Sequence, residues 1–128
     1  MENPKKYAIR GLYTYICKKN DSVYVGCDND IWARVLDDMK RFPKRTHWCK
    51  PMQADWNRHG KAGFACKIVK VVPNYTIVND RPYDLHLVEE REKYIKTLLD
   101  QGIRVYNEIQ DEMHMKIKLN INTFNKLE

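Results

Sequence analysis

The run GLYTYICKKNDSVYVGC at residues 11–27 decides the fold of this chain. Residues 7–17 and 23–27 are rich in aromatic and β-branched types, which favour strands. The polar residues 18–22 between them have the composition of a turn. The stretch therefore predicts a β-hairpin.

Two helices are expected after the hairpin. Residues 28–30 offer capping oxygens to a helix that starts near Ile31, and Pro43 ends it. Its apolar residues recur at three- and four-residue spacing, namely Ile31, Val35, Met39 and Phe42. A second, short helix is expected over 51–59, with Gly60 as its stop. Its apolar residues are Met52 and Trp56.

The second half of the chain predicts three more elements. Residues 64–72 are typical of a mostly buried strand, and residues 82–100 of a long helix. The apolar stripe expected on that helix consists of Leu85, Val88, Ile95 and Leu99. Residues 113–121 alternate between apolar and polar types, which favours another strand. The order β-β-α-α-β-α plus a C-terminal strand predicts an α+β fold, with a small antiparallel sheet of three strands flanked by helices.

Composition limits the class of protein. A length of 128 residues fits one domain, and a net charge of +6 suits a polyanionic partner, although many basic domains bind no nucleic acid. The four cysteines form no CxxC pair and have no histidine at zinc-ligand spacing, which argues against a zinc site. No secretory signal or membrane-spanning run is apparent, so we expect a cytoplasmic, intracellular protein without a membrane partner.

Several short motifs together resemble one family. Gly11-Leu12-Tyr13 followed by Tyr24-Val25-Gly26 resembles the two-part signature of the GIY-YIG nuclease superfamily. Four further features follow in family order: Arg34, the segment containing Gln53 and residues 57–60, the glutamate-rich residues 90–95, and residues 105–107. The resemblance covers residues 11–107 and is strongest to phage and intron homing endonucleases. It implies a nuclease domain over 1–107, an extension at 108–128, and a phage- or virus-encoded protein.

The resemblance also implies an activity. A GIY-YIG domain would be a metal-dependent DNA endonuclease that hydrolyses phosphodiester bonds with one Mg²⁺ or Mn²⁺. Glu92 would hold the metal, and Arg34 would stabilise the charge that develops on the phosphate. Tyr13 would act as general base or position the water, and Tyr24 would orient the nucleophile and the phosphate. The alternative function is a non-catalytic nucleic-acid-binding module that retains the fold; a protein-interaction domain that uses residues 113–121 is a third.

The choice of glutamate rests on helical position. Glu92 lies four residues after Val88 and three before Ile95, in the middle of the expected apolar stripe, where an acid is costly without a partner. The family usually places isoleucine four residues after the glutamate, so a shifted register would favour Glu90 or Glu89. A structural ion pair with an arginine is the competing interpretation.

The other candidates each have a structural alternative. Tyr13 and Tyr24, expected to face each other across the hairpin, could simply pack as an aromatic pair. Arg34 could form an ordinary helical ion pair instead of binding phosphate, and Asp38 could pair with it or add a metal ligand. His47 is a candidate for protonating the leaving group or contacting phosphate, or it is a surface histidine.

A basic loop surface and three supporting residues complete the expected site. The candidate DNA-binding residues, with Trp48 among them, are Lys44, Arg45, Lys50, Arg58 and Lys61. By resemblance, the supporting residues are Gly11, Gly26 and the closing Asn107. Only 21 residues follow Asn107, which we take as too few for a separate DNA-binding domain. One site cuts one strand, so a homodimer or sequential nicking would be needed for a double-strand break.

Overall fold

A computed structural model describes residues 8–72 and 83–109. Its strands are β1 (Gly11–Cys17), β2 (Val23–Asp28) and β3 (Phe64–Val71), which form one antiparallel sheet in the order β2-β1-β3. Its helices are α1 (Ile31–Arg41), α2 (Lys50–His59) and α3 (Tyr83–Asp100). The predicted α+β fold with a three-stranded antiparallel sheet is therefore confirmed. The strand predicted at 113–121 lies outside the described residues.

The ends and the buried face of α1 agree with the sequence pattern. Asp30 caps the helix, because its Oδ1 accepts a hydrogen bond from the Ala33 N–H at 3.2 Å. The predicted inward residues Ile31, Val35 and Phe42 are buried. The α2 helix ends at Gly60, whose φ of 72° lies in the left-handed region that favours glycine.

The two faces of the sheet carry different helices. Tyr13, Tyr15 and Tyr24 lie on one face and pack in a core cluster with residues of α1 and α2. On the opposite face, Val23 and Val25 pack against Ile95 and Leu98 of α3, together with Val105. Because successive side chains alternate across a strand, this arrangement separates an aromatic layer from an aliphatic one.

The predicted apolar stripe of α3 is correct for Ile95 and wrong for Leu85 and Leu99. Leu85 and Leu99 are 41% and 43% exposed, whereas Leu87, Ile95 and Leu98 are buried. The apolar residues of this segment fit the helical period in two overlapping sets. Packing against β2 buries one set, whereas the sequence pattern favoured the other. As a result, Glu92 does not lie in the middle of a buried stripe.

The prediction that the third strand is mostly buried is also wrong. In β3 only Phe64 is buried, and Val71 is 61% exposed. The strand forms one edge of the sheet, with β1 in the centre. An edge strand has a neighbour on one side only, so an apolar composition does not guarantee burial.

None of the helices in the described residues has both the length and the apolar character that a membrane span requires.

Two glycines are required by close approach between strands. A Cβ on Gly26 would overlap the ring of Tyr13, the residue paired with it across the hairpin. A Cβ on Gly11 would overlap the backbone carbonyl of Lys70 on β3. The glycines of the two signature tripeptides therefore make room for Tyr13 and for the pairing of β1 with β3.

We predict that Gly26→Ala destabilises the protein by about 1–3 kcal/mol, because the added methyl group forces the Tyr13 ring out of its place. The measurement is urea unfolding of the variant and of the parent chain. The same substitution in a Tyr13→Val background is the control, since the smaller side chain leaves space for the methyl group. An equal loss in both backgrounds would show that the Tyr13 contact is not the cause.

Candidate active site

The site is centred on the tyrosines of the hairpin. Tyr24 pairs with Tyr15 across the hairpin, and Tyr13 pairs with Gly26, so the expectation that Tyr13 and Tyr24 face each other is wrong. Tyr13 and Tyr24 are instead diagonal neighbours on the same face of the sheet, because Tyr24 lies two residues from Gly26, the partner of Tyr13. Tyr15 contacts both, with ring centroids 5.5 Å from Tyr13 and 5.9 Å from Tyr24.

Arg34 reaches this tyrosine cluster from α1. Its guanidinium lies within electrostatic range of the Tyr13 hydroxyl, and its Nε lies 3.9 Å from Oδ1 of Asp38. The Arg34 side chain is 39% exposed, whereas Tyr13 is almost completely buried. A cation is therefore held at the boundary between the buried tyrosines and the solvent, where an anion could reach it.

Asp38 and His47 form a buried pair behind Arg34. Both side chains are 1% exposed, and Asp38 Oδ1 lies 3.4 Å from His47 Nε2. The other carboxylate oxygen of Asp38 accepts a hydrogen bond from the Tyr15 hydroxyl at 2.8 Å. His47 Nδ1 accepts from the Cys49 N–H at 3.1 Å, so the proton of a neutral ring is on Nε2, the atom nearer Asp38.

These contacts settle where two of the open candidates lie. Asp38 pairs with Arg34, which is the first of the two alternatives considered for it. His47 is not a surface histidine, because the residue has no exposed surface. A direct contact with phosphate would need an exposed ring. His47 can therefore act on a phosphate only through Asp38 or after a conformational change that exposes the ring.

The glutamine and asparagine of the second helix hold the His47 loop in place. Gln53 Oε1 accepts the His47 backbone N–H at 3.0 Å. The Gln53 amide donates to the Phe42 carbonyl at 3.0 Å and to Asn57 Oδ1 at 2.9 Å. The segment that follows α1 is thus fixed to α2 through the buried amide of Gln53. This role explains why the motif has a glutamine at position 53 and an asparagine at position 57.

Asn107 supports the site from the free edge of β2. Its Oδ1 accepts the Val25 N–H at 2.9 Å, and its Nδ2 donates to the Val25 carbonyl at 2.8 Å. Val23 also pairs with Val105 as an isolated parallel bridge. The backbone between Tyr24 and Gly26 is therefore held by a pair of hydrogen bonds, as a strand partner would hold it.

The glutamates of α3 lie on two flanks of the helix. Glu90 is 15% exposed at its side chain, and its Oε2 accepts from Lys70 on β3 at 2.6 Å. His86 and Lys93 also lie within 4 Å of its carboxylate, which leaves it surrounded by basic side chains. The Lys70 hydrogen bond holds the pKa of Glu90 below its usual value.

Glu92 is on the opposite flank, next to β2. Its side chain is 53% exposed, and its Oε1 lies 3.2 Å from the Arg91 guanidinium. Burial raises the pKa of the Cys27 thiol, and the charges of Arg91, Glu92 and Arg34 also act on it. Glu92 and Arg34 thus both lie within electrostatic range of Cys27 on β2.

The donor set at this end of β2 suits a hard cation held by few protein ligands. Within residues 8–72 and 83–109, no group of three or more His, Cys, Asp or Glu side chains is arranged to hold a metal ion. Magnesium commonly binds through one or two carboxylates and completes its shell with waters and phosphate oxygens. The exposed Glu92 carboxylate fits that pattern, with the Arg91 guanidinium competing for one of its oxygens.

The five basic candidates are all exposed, but the structure divides them into two groups. Lys44, Arg45 and Lys50 lie between α1 and the start of α2, and Arg58 and Lys61 lie at its far end. The ten residues of α2 span about 15 Å, so the two groups are separate patches and not one cluster.

The sequence interpretation did not single out Tyr15. This residue contacts both candidate tyrosines and donates to Asp38, which makes it the link between the hairpin and α1. The available signal was its position two residues after Tyr13, which places both side chains on one face of the strand.

The environment of the tyrosines determines their charge. Burial raises the pKa of Tyr13, the negative charge of Asp38 raises it further, and Arg34 opposes both. Burial likewise raises the pKa of Tyr24. Both hydroxyls are consequently protonated near neutral pH. In this state they can donate or accept a hydrogen bond, but they are weak bases.

Comparison with known proteins supports the same fold. No model of a known protein family matches the chain, and no curated protein matches it. Among solved structures, the catalytic domain of homing endonuclease I-TevI matches with a TM-score of 0.61 and 26% identity, over 80% of this chain and 99% of that chain. A glutamate-to-alanine mutant of the same catalytic domain matches with a TM-score of 0.60 and 27% identity, over 75% and 90%.

The fold is that of a nuclease-type domain of the GIY-YIG superfamily, as the similarity to the I-TevI catalytic domain shows. Within that class, the chain is similar to the catalytic domain of the homing endonuclease I-TevI.

The buried tyrosines predict a loss of stability at alkaline pH. Burial raises the pKa values of Tyr13, Tyr15, Tyr24 and Tyr106 above the ordinary value near 10.0. Above that pH the unfolded chain releases protons that the folded chain retains, so the free energy of unfolding falls as pH rises. The expected slope is about 1.4 kcal/mol per pH unit for each tyrosine. Urea unfolding between pH 8 and about pH 11 measures it.

Tyr24→Phe provides the comparison for this pH series, because the variant keeps the ring and removes one ionisable hydroxyl. Its free energy of unfolding should fall less steeply above pH 10 than that of the parent chain. Parallel curves for the two proteins would contradict the assignment of the pH dependence to the buried tyrosines.

Proposed function

We propose that this protein is a metal-dependent DNA endonuclease that hydrolyses phosphodiester bonds at the Tyr13–Tyr24–Arg34 site. The observation that carries the proposal is the placement of Arg34, which lies beside the buried Tyr13 and is still partly open to solvent. Positive charge at such a boundary is suited to a phosphate that loses part of its hydration on binding. The similarity to a homing endonuclease catalytic domain supports DNA as the substrate.

Arg34 would bind the phosphate that is cut. Its guanidinium can direct two N–H groups at two phosphate oxygens, and it neutralises charge that builds up as the water attacks. Asp38 limits the side-chain positions available to Arg34 from 3.9 Å away. Holding the guanidinium before the substrate arrives reduces the entropy that binding would otherwise cost.

Tyr13 and Tyr24 would position the attacking water and the phosphate. Because their pKa values are raised, they are hydrogen-bonding groups at neutral pH, so positioning is favoured over the role of general base that was the other option for Tyr13. The water would need to lose its proton to another acceptor, such as solvent or a phosphate oxygen.

Glu92 is the residue that would hold a divalent cation, Mg²⁺ or Mn²⁺. When bound there, the cation would supply charge stabilisation to the phosphate oxygens and lower the pKa of a bound water. Support for Glu92 over Glu90 comes from the three basic side chains that already surround Glu90. Glu89 is half-buried on the same helix and stays an alternative.

The basic residues would bind the DNA backbone beside this site. Lys44, Arg45 and Lys50 lie on the chain next to the buried His47, and their charge contributes to the net +6 of the protein. Contacts of this kind provide affinity that is independent of sequence and decreases with salt. A single site of this design cuts one strand, so two copies or two successive events would be needed for a double-strand break.

One observation favours a second candidate function. Arg91 pairs with Glu92 at 3.2 Å, which is how a structural ion pair on the helix surface would look. If that pair persists, the domain would bind nucleic acid through its basic residues without a metal and would not cut. This non-catalytic module differs from the endonuclease in a single measurable property, hydrolysis in the presence of a divalent cation.

We predict that the purified protein nicks supercoiled plasmid DNA in Mg²⁺. Arg34→Ala and Glu92→Ala should each reduce the rate by about 100-fold or more, the usual effect of removing a group that stabilises the transition state. Agarose-gel conversion of supercoiled to open-circular plasmid measures the rate. Circular dichroism of both variants checks that the fold is retained.

Glu90→Gln is the matched control for the metal site, because it changes an acidic residue on the other flank of α3. It should leave the nicking rate within a fewfold of the parent rate. Loss of nicking in Glu90→Gln with retention in Glu92→Ala would move the metal site to Glu90. A parent protein that binds DNA but cuts in no divalent metal would favour the non-catalytic module.

A further inference from the structure

A column of four stacked rings connects the core with the surface beside the proposed active site. Trp56 and Phe42 lie nearly parallel, with ring centroids 4.2 Å apart and an interplanar angle of 11°. Phe42 stacks on the buried His47 at 4.6 Å and 4°. His47 is followed by Trp48 at 5.8 Å and 24°. We call this set the aromatic column.

Trp48 forms the outer end of the aromatic column. It is 55% exposed, whereas the three rings beneath it are buried, so a large part of the indole is accessible to a ligand. The packed rings behind it restrict its orientation. A planar ligand that stacks on Trp48 would therefore meet a surface that is already ordered and would lose little side-chain entropy.

The exposed indole also touches the proposed active site. Its ring centroid lies 5.6 Å from that of Tyr24, with an interplanar angle of 66°. Tyr24 in turn lies within electrostatic range of Arg34 and Tyr13. A group stacked on Trp48 would consequently be a close neighbour of a phosphate held by Arg34.

The charge around Trp48 favours a nucleic-acid ligand. Lys44, Arg45 and Lys50 are all exposed on the same stretch of chain, four, three and two residues from Trp48. Aromatic side chains set among basic ones are the combination that binds single-stranded nucleic acid, with stacking on bases and cationic contacts to the backbone.

We propose that Trp48 is a stacking subsite for an unpaired nucleobase next to the phosphate that is cut. The proposal rests on the proposed function, and it adds a preference among DNA structures. A base inside a duplex is already stacked on both faces and must be pulled out, at the cost of its pairing and stacking, before it can stack on Trp48. DNA with bases already unpaired, as in loops, gaps and branches, avoids that cost and should bind more tightly.

The test is a binding measurement without divalent metal, so that no DNA is cut. Fluorescence anisotropy in EDTA would compare three labelled DNAs: a duplex with a short internal loop of unpaired thymines, the same duplex with abasic sites in the loop, and a fully paired duplex. The parent protein should bind the thymine loop about tenfold more tightly than the abasic loop, the effect of one base–aromatic stack.

Variants assign that difference to the indole. Trp48→Ala should bind the thymine loop about tenfold more weakly than the parent and should no longer distinguish it from the abasic loop. Trp48→Phe should keep most of the preference, because a smaller ring still stacks. Trp32→Ala is the matched control, since Trp32 is 50% exposed on α1 and is not part of the aromatic column.

The remaining outcomes distinguish failure of the stacking subsite from failure of the proposed function. Equal binding of the thymine and abasic loops by the parent protein overturns the subsite without requiring any variant to fold. Equal affinity of Trp48→Ala and the parent for the thymine loop also overturns it, even if the parent nicks plasmid DNA. A Trp48-dependent preference in a protein that cuts in no metal supports the subsite and overturns hydrolysis. A parent protein that binds none of the DNAs overturns both.

Discussion

The Asp38 carboxylate lies where β1, α1 and the loop before α2 meet, with 1% of its side chain exposed. A buried carboxylate is costly unless donors and positive charge surround it, and each of the three elements supplies one partner. Tyr15 donates from β1, Arg34 approaches from α1, and His47 approaches from the loop. Removing one partner from a buried charged pair typically costs about 3–5 kcal/mol, so these elements depend on one another.

The same carboxylate connects stability with the proposed chemistry. Arg34 compensates Asp38 in the protein alone and would bind phosphate in the complex, so one guanidinium has two anionic partners. His47 remains next to Asp38 in either case, fixed by Gln53 through its backbone and by Cys49 through its ring. Among Asp38 and its three partners, Arg34 has the most exposed side chain. A phosphate-binding residue requires this combination of an exposed charge and a rigid support.

The aromatic residues give the site a second kind of order. Gly26 leaves space for the Tyr13 ring, and Asn107 fixes the backbone of Val25 beside it. On the other side of Tyr24, the column of rings ends in an exposed Trp48. Tyr15 donates to Asp38 and stacks on Tyr24, which contacts Trp48. These two tyrosines therefore join the proposed phosphate site to the proposed base-stacking subsite.

Local sequence patterns were enough to predict the individual helices and strands and the residues that form them. The hairpin, the Asp30 cap, the buried face of α1 and the glycine at the end of α2 follow from periodicity and turn chemistry, which act over a few residues. The order of motifs also indicated the superfamily. Only the tertiary structure decided which flank of α3 faces β2, so the burial expected for Glu92 was wrong. Tertiary contacts also decided that Asp38 and His47 form a buried pair and that β3 is an exposed edge. These features depend on packing between residues far apart in the chain, and a local pattern does not contain that information.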